Sequence, residues 1–84
     1  MINVALLGFG RIGQMHAQNI YLNKTLNLLY VYEKIDKLRK KAKSLYNCKI
    51  EKNYKKIFSD EKVDIIFISS PTNTHIRFIE EGIK

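Results

Sequence analysis

A six-residue stretch with three glycines, Gly8-Phe9-Gly10-Arg11-Ile12-Gly13, lies between an apolar run and an amphipathic one, and it narrows the folds open to the chain. The run before it, "INVALL" from Ile2 to Leu7, is short and rich in branched residues, as a strand buried on both faces is. The run after it, "RIGQMHAQNIYL" from Arg11 to Leu22, places Ile12, Met15, Asn19 and Leu22 at helical spacing, with Asn23 positioned as a stop. Between a strand and a helix, Gly-x-Gly-x-x-Gly has a physical meaning: Gly8 permits a tight turn, Gly10 lets the backbone approach a pyrophosphate, and Gly13 lets the helix pack closely on a sheet. The unpaired N–H groups and partial positive charge of the helix N-terminus would hold the phosphates. A tight turn without ligand would use the same three residues.

The alternation continues. "LNLLYVYE", Leu26 to Glu33, reads as a second strand; "IDKLRKKAKSLY", Ile35 to Tyr46, as an amphipathic helix with Leu38, Ala42 and Leu45 on one stripe. "CKIE" reads as a short third strand, "NYKKIFSDE" as a helical turn from Asn53, and "VDIIFIS", Val63 to Ser69, as the most apolar strand. "PTNTHIRFIEEGIK" then turns at Pro71 and starts another helix with Ile76, Ile79 and Ile83 inward. Strands alternating with helices build a parallel sheet through right-handed crossovers. The expected architecture is α/β, the first half of a Rossmann-type doubly wound sheet with strand order 3-2-1-4. A strand as apolar as "VDIIFIS" calls for neighbours on both sides. Its outer neighbour would have to follow Lys84, so a truncated domain is expected, and self-association through the uncovered edge with it.

Glu33 stands twenty positions after Gly13, at the end of the second strand. An acidic residue there can accept the ribose hydroxyls of an adenosine, favouring NAD and repelling the 2'-phosphate of NADP, although the adjacent Lys34 would soften that repulsion. An ordinary surface acid is the other reading.

Charge bears on the remaining functional classes. Fifteen Lys and Arg against eight Asp and Glu give a net charge of +7, concentrated between Glu33 and Lys56, where lysines dominate. No zinc-finger pattern or RNA-binding aromatic motif accompanies them, so a solvated helix face that attracts anionic ligands is expected rather than a nucleic-acid surface. No apolar run reaches the roughly 20 residues of a membrane span, and no basic leader precedes the first strand, which points to the cytoplasm. The single cysteine, Cys48, is expected as a half-buried strand residue in a reducing compartment. His16 and Cys48 have no partners at metal or nucleophile spacing.

Taken together, "VALLGFGRIGQMHAQNI", "NYKKIFSDEKVDIIFISSPTNTH" and the following segment resemble the N-terminal domain of the Gfo/Idh/MocA oxidoreductases, in particular inositol 2-dehydrogenase-like members, over essentially the whole chain. The resemblance implies that Gly8, Gly10, Arg11, Ile12 and Gly13 hold the pyrophosphate of NAD(H) and Glu33 the adenosine ribose. It implies further that Ser70, Pro71, Thr72, Asn73 and His75 lie along the cofactor toward its nicotinamide. The residues themselves agree, since a buried parallel strand ending at Ser69-Ser70-Pro71 would deliver this turn beside the Gly-rich one. Thr72 and Thr74 could equally cap the next helix, and His75 could be structural.

The family's Glu-Lys-Pro motif and the Asp and His of its following domain have no counterpart in these 84 residues. Hydride transfer needs a held substrate and a base for the hydroxyl proton. The expectation is therefore the cofactor-binding part of an NAD-dependent dehydrogenase of polyols or sugars, inactive alone. A stand-alone NAD(P)-binding or sensing module and a truncated product without function fit the same residues.

Overall fold

In a computed structural model, which describes residues 1–69, four parallel strands form one sheet in the order β3-β2-β1-β4. The elements follow as β1 (Ile2–Leu7), α1 (Arg11–Leu22), β2 (Leu26–Tyr32), α2 (Asp36–Tyr46), β3 (Lys49–Glu51), α3 (Tyr54–Phe58) and β4 (Ile65–Ile68). The expected Rossmann-type half sheet is what forms. Its boundaries move inward by one to three residues: Glu33, Ile35, Cys48, Asn53, Glu61, Val63 and Ser69 all fall outside the elements assigned to them.

β1 is central, and Val4 to Leu7 are buried without interruption. Its alternation divides the interior. Val4 and Leu6 face one cluster with Phe9, Ala17 and Ile20 near and on α1, Ala42 of α2 and Cys48. Ala5 and Leu7 face the other, with Tyr30, Tyr32, and Tyr54 and Ile57 of α3. So α1 and α2 cover one face and α3 the other, which is the doubly wound arrangement.

β2 would not satisfy both clusters as a plain strand. The pairing runs Val4 with Leu28 but Ala5 with Tyr30, so Leu29 is an extra residue, a β-bulge. The bulge leaves Leu28 on the α1 and α2 side while Tyr30 and Tyr32 point to α3.

Two helix faces differ from the sequence reading. In α1 the buried residues are Gly13, Ala17 and Ile20, whereas Ile12, Met15 and Leu22 are 58%, 59% and 67% exposed. The period was legible but the face was not, because the seam against the sheet is built from small residues that let the backbone approach. In α2, Ala42 is buried and Leu38 partly so, but Leu45 is exposed and Tyr46 packs in its place. Cys48 is buried rather than half-buried and precedes β3; burial pushes its thiol pKa up. On β4, Ile66 and Ile68 pack inward, while the alternate residues Ile65 and Phe67 stay 44% and 37% exposed, unlike a strand covered on both faces.

The α3 face carries a part-buried polar link. The Tyr30 hydroxyl donates to Asp60 Oδ2 at 2.6 Å, and Lys49 Nζ lies 5.5 Å from the Tyr30 ring centre. The hydrogen bond to Asp60, then burial and the charges of Asp60 and Glu51, push the Tyr30 pKa from 10.0 up to about 12. A pKa raised on folding contributes stability that is complete below pH 10 and is lost as pH rises toward 12. Denaturant unfolding between those pH values should therefore show the parent losing stability along a limb that Tyr30→Phe lacks, and absorbance titration at 295 nm should show the variant missing one ionisation near pH 12.

Candidate functional site

The four strands run parallel, so their C-terminal ends gather at one edge of the sheet. There Gly8 N–H donates to Tyr32 O (2.8 Å), Ser69 N–H to Leu7 O (2.8 Å), and Glu33 N–H to Glu51 O (3.1 Å). This edge is where open parallel sheets bind ligands.

The Gly-rich turn leaves β1 through Gly8 at φ 110°, a conformation that L side chains rarely adopt. Phe9 then points back into the core, fully buried, with its ring edge-on to Tyr46 at 6.4 Å between centres. Gly10 is the N-cap of α1, exposed and without a side-chain cap, and a Cβ added there would meet nothing within 4 Å. The first bond into the helix is Gln14 N–H to Gly10 O at 2.8 Å, so the N–H groups of Arg11, Ile12 and Gly13 precede the helical ladder. Gly13 is the opposite of Gly10. A Cβ on it would run into the Gly8 carbonyl, whose carbon is 2.8 Å away.

The turn is also held from outside. Phe9 N–H donates to Glu33 Oε1 at 2.9 Å, and Gln14 Nε2 donates to Phe9 O at 3.2 Å, so both ends of this stretch of backbone are engaged. Lys41 Nζ in turn donates to Gln14 Oε1 (2.8 Å), tying α2 to the same turn beside a groove of about 500 Å³ that Arg11 and Met15 also line. Glu33 Oε2 accepts from Ile35 N–H at 3.0 Å. The carboxylate thus bridges the Gly-rich turn and the loop after β2, and each oxygen keeps a further lone pair.

Gly8, Gly10, Arg11, Ile12, Gly13 and Glu33 thus lie together at one end of the sheet, and Ser70, Pro71, Thr72, Asn73 and His75 lie outside the described residues, as does the helix expected with Ile76, Ile79 and Ile83. Three groups escaped the sequence reading. Ser69 has a buried Oγ without a hydrogen-bond partner among the described residues, 3.5 Å from the position a Gly13 Cβ would take. Gln14 and Arg39 act on backbone, which no spacing rule reveals. His16 packs its ring against Phe67 at 4.6 Å, a structural use.

The donor set fits a dinucleotide. Open space over Gly10, helix N–H groups ahead of the ladder and an acid with free lone pairs are what a pyrophosphate and a ribose diol need.

Comparison with known proteins agrees with this geometry. Residues 2–84 match the Gfo/Idh/MocA model, described as an oxidoreductase family with an NAD-binding Rossmann fold. Myo-inositol 2-dehydrogenase of Thermotoga maritima is 30% identical over 80 residues, covering 93% of this chain and 24% of the relative. An uncharacterized oxidoreductase of Bacillus subtilis, YrbE, is 31% identical over 84 residues, covering 99% and 25%. Among solved structures, myo-inositol dehydrogenase from Corynebacterium glutamicum superposes with a TM-score of 0.91 at 29% identity, covering 99% of this chain and 25% of that one. The chain spans about a quarter of the length of these relatives.

The contrast between the two glycines is measurable. Gly13→Ala should cost about 1–3 kcal/mol in denaturant unfolding, since the obstacle is backbone rather than a flexible side chain. Gly10→Ala, into open space, should cost less than about 1 kcal/mol, the loss expected from a poorer N-cap.

Proposed function

The chain belongs to the Gfo/Idh/MocA oxidoreductase family with its NAD-binding Rossmann fold, and from that premise we propose that residues 1–84 are the N-terminal cofactor-binding domain of an NAD-dependent dehydrogenase. The intact enzyme oxidises a secondary alcohol of a polyol or sugar, inositol-like, to a ketone. The substrate class rests on the inositol dehydrogenases among the relatives. The observation that carries the cofactor reading is the bridged turn, open over Gly10 and closed behind Gly13.

In this reading the Gly10, Arg11 and Ile12 N–H groups and the α1 dipole take the pyrophosphate, while Gly8 and Gly13 give the turn its shape. Glu33 takes the adenosine ribose hydroxyls on the lone pairs left by Phe9 and Ile35, and the charge that accepts them repels a 2'-phosphate, so NAD is preferred to NADP. Ser70, Pro71, Thr72, Asn73 and His75 continue the site toward the nicotinamide. NAD supplies the hydride acceptor, and this chain positions it. Alone it binds NAD(H) without turnover, and the edge of β4, the outer strand among the described residues, is where it would self-associate.

Gly10→Val tests the placement. Fluorescence titration with NADH should give saturable binding to the parent and a Kd raised by more than about tenfold in the variant, with an unchanged circular dichroism spectrum. Equal affinities would mean that the phosphates sit elsewhere.

A further inference from the structure

Arg39, in the first turns of α2, looks in the sequence like one more cation of a lysine-rich helix. Its side chain is only 13% exposed. Nη1 donates to Glu33 O at 2.8 Å and to Lys34 O at 2.9 Å, and Nη2 donates to Asp36 Oδ1 at 2.8 Å. Three acceptors on one planar fork is a geometry that a lysine ammonium on its flexible stem does not reproduce. The two carbonyls belong to the residues that carry and follow the ribose acid.

Cations just beyond the second strand are where a Rossmann fold accommodates a 2'-phosphate. Arg39 is in that part of the chain, yet its donors are turned inward on backbone and on Asp36. Lys34, by contrast, is exposed. The same loop therefore contains an anion-repelling carboxylate held in place and a neighbouring ammonium without a partner among the described residues.

We propose that Arg39 is a positioning residue for cofactor choice: by fixing the Glu33 and Lys34 carbonyls it holds the Glu33 carboxylate between Phe9 N–H and Ile35 N–H, where the adenosine ribose is read. This rests on the cofactor site proposed above. Releasing Arg39 lets the loop relax. Glu33 then leaves the turn more readily, and Lys34 can meet a 2'-phosphate.

The test uses the 84-residue chain with Arg39→Gln and Arg39→Lys, titrated with NADH and with NADPH, alongside ¹H–¹⁵N spectra recorded without cofactor. The ratio of NADPH to NADH dissociation constants should fall about tenfold in both variants, the scale of a lost charge-assisted hydrogen-bond set. The Phe9 and Ile35 amide resonances should move upfield as their carboxylate partner loosens. Arg39→Lys keeps a cation opposite Asp36 and should not rescue the ratio; it also carries the test if Arg39→Gln does not fold. A uniform loss of affinity for both nucleotides, or unmoved amides with an unchanged ratio, overturns the inference and leaves the cofactor reading standing. A parent chain that binds neither nucleotide overturns both.

Discussion

The hydrogen bond from Phe9 N–H to the Glu33 carboxylate joins the two strand ends on which the site is built. A Gly-rich turn is costly to order because glycine loses more conformational freedom on folding than any other residue. Here the residue between the first two glycines offsets that cost twice. Its side chain is sealed in the core against Tyr46, and its backbone is engaged by Glu33 and Gln14. The turn is therefore shaped before any ligand arrives, so a dinucleotide need not supply the energy to order it.

That arrangement gives Glu33 two roles in one carboxylate. It accepts from two backbone N–H groups on either side of the loop, and each oxygen retains a further lone pair. Such a group is oriented by the fold rather than by what binds to it, and the orientation reaches back through the loop to the Arg39 fork and Asp36. Asp36 is in turn shared with Lys40 at 3.1 Å, whose hydrogen bond and charge, with those of Arg39, hold the Asp36 carboxyl below the usual carboxylate range. Part of the basic excess is thus loop architecture, while Lys37, Lys40 and Lys43 are exposed on α2.

The sequence made the strand and helix alternation legible because each element has its own period, and it made the turn legible because only glycine serves at Gly8 and Gly13. Other features depend on neighbours that a linear pattern does not display. The buried face of α1 is Gly13, Ala17 and Ile20, chosen by how closely the helix lies on β1; hydropathy favours Ile12 and Met15, which the fold leaves outside. The groups that hold the site, Gln14 and Arg39, work through backbone carbonyls, so their partners carry no side-chain signature. The Ser69 hydroxyl becomes notable only when β4 is seen to end beside Gly13.

The extra residue in β2 acts as a phase shift in an otherwise periodic object. Before Leu29 the strand is in step with β1 on one parity, and after it on the other, so Leu28 and Tyr30 serve opposite faces although two positions separate them. Deleting Leu29 would remove the bulge and leave Leu28 opposite Val4 and Tyr30 opposite Ala5, so both tyrosines would keep their side of the sheet and only the local bend and twist of the strand would change. The spacing between the glycine turn and its acid thus includes one residue that the strand pairing itself does not use.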